Sequence, residues 1–337
     1  MSSRVDLDQK VYRHLTRLRD VTEYGFTYPV TWELDPTNDC NHDCVGCFAK
    51  GAGGRSNNES LTWEEATNYV DQIAQLRAKA IVLTGGGDPM FNKITPDLMK
   101  YIRSKGLNLG MITNGSIFND ESIAVAVENC NWIRISLDAG TPEVFSEIRK
   151  VHRRQFWQVL RNLRKLRDKR DELGTSCTLG TGFLTSALTM PGLVNFTSLS
   201  KQAGADYVQI RPFHGDFTIP LRINECLAMQ DETFQVHYAE HKYNSGYTKK
   251  YTRCEAQNLS GVINVHKVYL CCHMRGVEKY ELGDLRHSSL SNIWHSMHRK
   301  DVVDNLDFAD CIAHCRLDKV NQTIHALQTP VEDENFI

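Results

Sequence analysis

No stretch of this sequence stays apolar for the roughly 18 residues that a membrane-spanning helix needs, so no membrane partner is expected. The opening MSSRVDLDQK lacks the apolar core of a signal peptide, which makes the cytoplasm the expected location. Charge imbalance is also missing. Against 39 Lys and Arg stand 41 Asp and Glu, a net charge of -2, which excludes a protein that is basic throughout. Neither an internal repeat nor a low-complexity segment interrupts the 337 residues. What remains, at 41% hydrophobic and 24% charged, is an ordinary globular composition, long enough for one large α/β domain and a smaller one.

Cysteine is not scarce. There are 11, and in a reducing compartment they are not expected to pair as disulfides. Eight of them cluster: Cys40, Cys44 and Cys47; then Cys254, Cys271 and Cys272; then Cys311 and Cys315. Clusters of this kind read as metal or iron–sulfur ligands. Cys130, Cys177 and Cys226 stand apart and read as small buried apolar side chains.

Between Tyr28 and His214 short β-branched runs alternate with amphipathic stretches. The runs are 31–34, 79–84, 107–113, 132–137, 177–184 and 207–212, six βα-type units that predict a parallel sheet. Helices are expected from a Thr62–Glu65 capping box to about Arg77, near 95–105, over the long region 143–171, and near 192–203. Parallel sheets carry their chemistry at the carboxyl ends of the strands. Cys40–Cys47, Gly85–Pro89, Thr113–Ser116 and Ser136–Gly140 all fall at such ends, so one site is expected to collect them. From about 254 the pattern changes to hairpin-like strands with cysteines, the mark of a second, metal-organised domain.

The C-x3-C-x2-C loop after a first strand, followed by GGGDP after the second, resembles the radical S-adenosylmethionine (SAM) superfamily. The resemblance implies an α/β fold, a partial (β/α)6 TIM-like barrel over 28–215. It also implies a [4Fe–4S] cluster on Cys40, Cys44 and Cys47, whose fourth iron is left for SAM. Gly86, Gly87, Asp88 and Pro89 match the Gly-Gly-Glu-Pro segment that engages the methionine amino group, with Asp in place of the usual Glu. Thr113 and Asn114, and Ser136 with Asp138, match polar strand ends that contact SAM. The aromatic usual before the third cysteine is Gly46 here, and Phe48 is the candidate substitute beside the adenine.

The C-terminal cysteines resemble the "twitch" form of the SPASM domain, which implies a second, auxiliary [4Fe–4S] cluster on Cys254, Cys271, Cys311 and Cys315. Adjacent strand residues point to opposite faces, which leaves Cys272 unligated. Cys272 and Cys226 are then candidate hydrogen donors to a substrate radical. The corresponding division is a helical extension 1–27, the barrel 28–215, a linker 216–253, the auxiliary domain 254–320 with its β-hairpin and helices, and a tail 321–337.

As an enzyme of this family the chain would cleave SAM to a 5′-deoxyadenosyl radical. That radical would take hydrogen from a polar substrate such as a sugar, aminocyclitol or nucleotide unit, leading to oxidation, isomerisation or epimerisation. An electron donor such as flavodoxin or ferredoxin is the implied partner. Modification of a nucleic-acid base or a peptide, and a non-enzymatic iron–sulfur or zinc protein, are the alternatives. Arg211 and His214 follow the sixth strand and suit a phosphate, carboxylate or polyhydroxyl group. The run 149–170 has ten Lys and Arg and one acid, which suggests a nucleic-acid partner. Phe156, Val159, Leu160 and Leu163 lie at helical spacing within it, however, so its basic residues read instead as a solvated outer face.

Overall fold

The computed structural model of the chain describes residues 10–51 and 58–332, so the ends of the expected N-terminal extension and C-terminal tail lie outside the described residues. Helix α1 (Leu15–Tyr24) precedes strand β1 (Thr31–Asp35). There follow α2 (Trp63–Gln75), β2 (Ala80–Leu83), α3 (Thr95–Ser104), β3 (Asn108–Thr113), α4 (Asp120–Asn129) and β4 (Trp132–Ser136). Next come α5 (Pro142–Arg149), α6 (Arg154–Leu173), β5 (Thr178–Thr185), α7 (Leu193–Gln202), β6 (Tyr207–Pro212), α8 (Ile223–Leu227) and β7 (Gln235–Tyr238). The last third holds β8 (Ser260–Asn264), β9 (Lys267–Tyr269), β10 (Glu281–Asp284), α9 (Leu290–His295), α10 (Met297–Asp304) and α11 (Asp318–Gln328).

One sheet runs through all ten strands in the order β10-β9-β8-β1-β2-β3-β4-β5-β6-β7. From β8 to β7 every neighbouring pair is parallel, and β9 and β10 add an antiparallel hairpin at one edge. Side chains alternate faces along each strand. Trp32, Leu34, Ile81, Leu83, Ile133, Ile135, Phe183, Val208 and Ile210 are buried under the helices. The intervening positions Glu33, Arg134, Ser136, Gly182, Gln209 and Arg211 therefore form the inner wall. The helices start where the chain supplies caps: the Thr62 side chain accepts from Glu65 N in a capping box, and Thr141 caps α5 before Pro142.

Four expectations change. The long helical region is two helices, because Lys150 adopts a left-handed φ of 53° that ends α5. The segment read as a linker contributes β7, which pairs with β6 in parallel and gives the barrel a seventh strand. The residues assigned to a tail begin as the second half of α11, whose Val320 and Ile324 pack on Val11, Leu18 and Val21. The auxiliary hairpin extends the barrel sheet, with β8 in register along the whole of β1.

At that seam the inner face holds buried charge. Arg275 lies 2.7 Å from Glu33 and 2.5 Å from Asp35, and Arg316 also pairs with Glu33. Asn264 donates to Asp35 at 2.9 Å and to Asn38 at 2.8 Å. Burial works against both charges of the Glu33–Arg275 pair, yet the opposing charges outweigh it: the Glu33 carboxyl is held below its usual range and the Arg275 guanidinium above it. Removing one member of such a set strands charge in a low-dielectric interior. Arg275→Met is therefore expected to cost about 3–5 kcal/mol in chemical denaturation. The double variant Asp35→Asn/Arg275→Met, which leaves Glu33 paired with Arg316, should recover most of that loss. A single variant as stable as the parent would show that the network is not structural.

Candidate active site and auxiliary cluster site

The first cysteines sit on the loop after β1, held by backbone. Asp43 N donates to Arg149 O at 3.1 Å and Val45 N to Ile148 O at 2.8 Å, which pins the loop to the end of α5. Cys40, Cys44 and Cys47 are all partly exposed, and none is in a disulfide. His42, between the first two cysteines, turns its Nε2 to Gln155 Oε1 at 3.0 Å, and burial lowers its pKa to about 4. Gly46 has a left-handed φ of 66°, and a Cβ there would lie 2.2 Å from Phe213 Cζ. The ring of Phe213, from just beyond β6, thus occupies the space against the residue before the third cysteine. Phe48 instead stands 5.4 Å from His214 and 5.7 Å from His273, ring to ring.

The GGGDP segment is spent on construction. Gly87 N donates to Thr37 O and Asp88 N to Asp39 O, an approach so close that a Cβ on Gly87 would meet Asp39 O at 1.8 Å. The buried Asp88 carboxylate accepts from Met90 N at 3.0 Å, from Thr113 Oγ1 at 3.0 and 2.9 Å, and from Asn114 N at 2.6 Å. Its acceptor sites are filled by the chain itself, so it braces β2 to β3 rather than presenting an open carboxylate. Pro89 opens a short 3-10 turn and is buried. Asn114 Nδ2 reaches Asn41 Oδ1 at 2.9 Å and Cys40 Sγ at 3.8 Å, which ties the end of β3 to the cysteine loop.

Arg149 was read only as the start of a basic surface run, but it is buried at the centre of the site. It donates to Cys44 Sγ at 3.3 Å, to the carbonyl of Ser136, and to Asp138 Oδ2 at 2.5 Å. Burial opposes its charge, but Asp138, Cys44 and Cys40 outweigh it and hold the guanidinium above its usual pKa. Asp138 takes a left-handed φ of 53° and accepts from Leu184 N with its other oxygen. The Ser136 hydroxyl engages no partner among the described residues.

Arg211 projects from the inner wall and forms no hydrogen bond or ion pair among the described residues. Burial and then neighbouring Arg134 bring its guanidinium down to about 10. His214 is lowered by burial, then by Arg211 and Lys242, and His273 is lowered to about 3 by burial, then by Arg316. Lys242, His273 and Arg316 are further nitrogen-bearing neighbours of Arg211 and His214 that the sequence did not disclose, Lys242 a cation and His273 a neutral imidazole. The nearest acids are committed elsewhere: Asp138 to Arg149, and Glu33 to Arg275 and Arg316.

The second cysteine set surrounds a void. Cys254, Cys271, Cys311 and Cys315, with Cys272, Tyr251 and Phe308, line a small cavity of about 30 Å³. Among the described residues no three His, Cys, Asp or Glu converge tightly enough for a single ion. Four thiols spread around a cavity suit a polynuclear cluster better than one zinc. Burial raises both thiols; after it Cys271 is influenced by Cys272 and Cys254, whereas Cys272 is influenced by Arg316, Glu33, Arg275 and Arg211, the charges at and beside the seam with the barrel. Cys226 lies elsewhere. It is fully buried in the core, on α8 beside Thr197 of α7, outside the inner wall, so packing rather than hydrogen donation accounts for it. Cys130 and Cys177 are likewise buried.

Comparison with known proteins matches residues 34–185 to the Radical SAM superfamily and residues 254–317 to SPASM, an iron–sulfur cluster-binding domain. This is a radical SAM protein with a C-terminal SPASM domain. Fe-coproporphyrin III synthase of Methanosarcina barkeri is 29% identical over 151 residues, 44% of this chain and 36% of that protein. A probable GTP 3′,8-cyclase of Thermococcus kodakarensis is 31% identical over 127 residues, 37% and 41% of the two chains. The radical SAM protein thus spans about two fifths of the length of these curated relatives. In fold it is similar to Streptococcus suis SuiB bound to S-adenosylmethionine, with a TM-score of 0.64, 11% identity, and coverage of 86% of this chain and 71% of that one. It is also similar to anSMEcpe with bound AdoMet, at TM-score 0.58 and 14% identity, covering 82% and 83%. Among the described residues no helix of the radical SAM protein is long and apolar enough to cross a membrane.

The domains imply SAM, its [4Fe–4S] cluster and an auxiliary iron–sulfur cluster, and the residues present fit them. Three cysteines outside any disulfide share one loop with the Ser136 hydroxyl and the buried Nε of Arg149, which has no acceptor among the described residues. The auxiliary thiols already enclose space. Because Gly46 is doubly constrained, Gly46→Ala is expected to disturb the loop and lower the iron bound there. Adding Phe213→Ala relieves the contact but not the φ, so iron content, read by colorimetric assay, should recover only in part. Full iron retention in Gly46→Ala would show that the loop tolerates a side chain.

Proposed function

We propose that this chain is a cytoplasmic radical SAM enzyme that removes a hydrogen atom from a polar, anionic small molecule. A sugar, aminocyclitol or nucleotide unit fits this description, with oxidation, isomerisation or epimerisation as the outcome. The observation that carries the reading is Arg211. A guanidinium on the inner wall, without a carboxylate partner and grouped with Lys242, His214 and His273, calls for a phosphate or carboxylate from outside the chain. The GTP 3′,8-cyclases among its relatives favour a nucleotide unit. A SAM-bound cluster on Cys40, Cys44 and Cys47 supplies, on one-electron reduction, a 5′-deoxyadenosyl radical able to attack an unactivated C–H bond.

The protein's own part is positioning. Arg211 and Lys242 hold the anionic end, so that one C–H of the substrate is presented in a fixed orientation. Ser136 offers a hydroxyl to SAM, and Arg149, anchored by Asp138, keeps positive charge beside the cysteine loop. Cys272, on the barrel side of its cysteine pair, is the candidate hydrogen donor for epimerisation. The cluster held by Cys254, Cys271, Cys311 and Cys315 is the candidate electron acceptor for oxidation. Flavodoxin or ferredoxin is the expected electron source.

Anaerobically reconstituted protein should carry about eight irons. Replacing Cys40, Cys44 and Cys47 by Ala should remove about half the iron and all dithionite-driven release of 5′-deoxyadenosine. Release that survives in this variant would refute the assignment. Once a substrate is found by mass spectrometry of treated extracts, Arg211→Gln should raise KM more than it lowers kcat. Solvent deuterium entering product and lost on Cys272→Ala would establish epimerisation. A product lighter by two hydrogens, with one 5′-deoxyadenosine each, would establish oxidation.

A further inference from the structure

The basic run at the start of α6 has a position that its sequence did not disclose. Lys150, Arg153, Arg154, Arg161 and Arg164 are all exposed, and none forms an ion pair among the described residues. Arg154, Trp157, Arg161 and Arg164 recur at three- and four-residue spacing, so they share one face of the helix. Trp157 on that face is 48% exposed. The first acid of the helix is Asp168, and Lys165 is tied to Asp120 of α4 at 2.8 Å. Other acids near this end are Asp43, paired with Lys50 at 2.6 Å, and the exposed Glu143 and Glu147 of α5.

This face borders the cysteine loop. Gln155, in the first turn of α6, holds His42 at 3.0 Å, and the preceding corner, Ile148 and Arg149, holds the backbone of Asp43 and Val45. Between the start of α6 and the turns that follow β2 and β3 runs an open groove of about 540 Å³, lined by Lys93, Ser116, Gln155 and Gln158 together with the apolar Met90, Ile117 and Phe118, and reaching Asn41, next to Cys40. Lys93 adds a further cation at its rim. An uncovered aromatic, a basic surface whose five exposed cations outnumber the exposed acids Glu143 and Glu147 nearby, and a groove reaching the residue next to Cys40 lie together.

We propose that the exposed face of α6, from Lys150 to Arg164 with Trp157, is the docking surface for an acidic one-electron carrier protein. This rests on the reading that Cys40, Cys44 and Cys47 hold a cluster charged one electron at a time: the carrier loses one electron, the cluster gains it, and no bond or proton moves. Charge complementarity commits the surface to an acidic partner. Adjacency to the Cys40 loop commits that partner to electron delivery, because the groove is where a donor's cofactor comes nearest to the cluster ligands. The electrostatics also suit a transient partner, which must be captured quickly and released after one transfer.

The test uses the holoprotein with two probes, an acidic flavodoxin and an acidic ferredoxin, titrated by fluorescence anisotropy at rising salt. At least one should bind, with affinity falling steeply as salt rises. The variant Arg154→Glu/Arg161→Glu/Arg164→Glu should weaken binding by about tenfold or more and slow carrier-driven cluster reduction in parallel. Reduction by dithionite should be unchanged, and Lys300→Glu, on α10, should behave as the parent. The proposal is overturned if neither carrier binds, if the triple variant binds as tightly as the parent, or if the stripe holds a single-stranded oligonucleotide while carrier binding is unaffected by the substitutions. Failure of the function reading is separate. Absence of 5′-deoxyadenosine with dithionite would remove the enzyme, whereas carrier binding alone decides the surface.

Discussion

Everything else in this molecule is arranged around four charges buried at one seam. Glu33 and Asp35 on β1 face Arg275 and Arg316, which come from the cysteine-bearing third of the chain. A buried ion pair is weak evidence for net stability, but it is strong evidence for register, because no other alignment satisfies both signs. Here the pairing specifies how β8 lies along β1. It thereby sets the auxiliary cysteines relative to the barrel wall that carries Arg211. Cys272, between the two, is influenced by charges from both sides.

The same economy of acids shapes the active side. Each carboxylate near the inner wall is committed: Asp88 to backbone and threonine donors, Asp138 to Arg149 and Leu184, Glu33 to two arginines. The arginines and lysine outnumber them, and the excess lies on Arg211 and Lys242, beside two imidazoles that burial holds toward the neutral form. A site built this way rejects cations and binds neutral polar molecules weakly. It discriminates by charge before it discriminates by shape.

Much of this was legible in the sequence, for identifiable reasons. Parallel strands buried on both faces read as continuous β-branched runs, so YVQIRP coincides with β6 and the other runs fall within a residue or two of their strands. The cysteine spacings pointed to the two iron–sulfur domains that the family comparison matches. β7 was not legible, because QVHY is only four residues long and has one buried position, too little for a periodic signal. α11 was hidden by an acidic ending. Arg149 was misplaced because a run of like charge was read as one surface, although the αL turn at Lys150 separates its first member from the rest. Phe213 could have been suspected only from the glycine before Cys47, a vacancy that some ring had to fill. His273 and Lys242 carried no signal, since their proximity to His214 is a property of the closed sheet and not of the chain.

The pairing of β8 with β1 reaches beyond the placing of cofactors. β1 is hydrogen-bonded on both sides, and Trp32 rests against Gly261 so closely that a Cβ there would lie 2.2 Å from its ring. Were the last third of the chain cut away at the boundary its cysteines suggest, β1 would become a bare edge. It would present five residues of unpaired backbone and an uncovered indole to solvent. The barrel is therefore not a module to which a cluster domain was appended. It is one part of a sheet whose β1 is covered only when the cluster domain is in place, and a half-synthesised chain must wait for its C-terminal residues before that edge is safe from pairing with its neighbours.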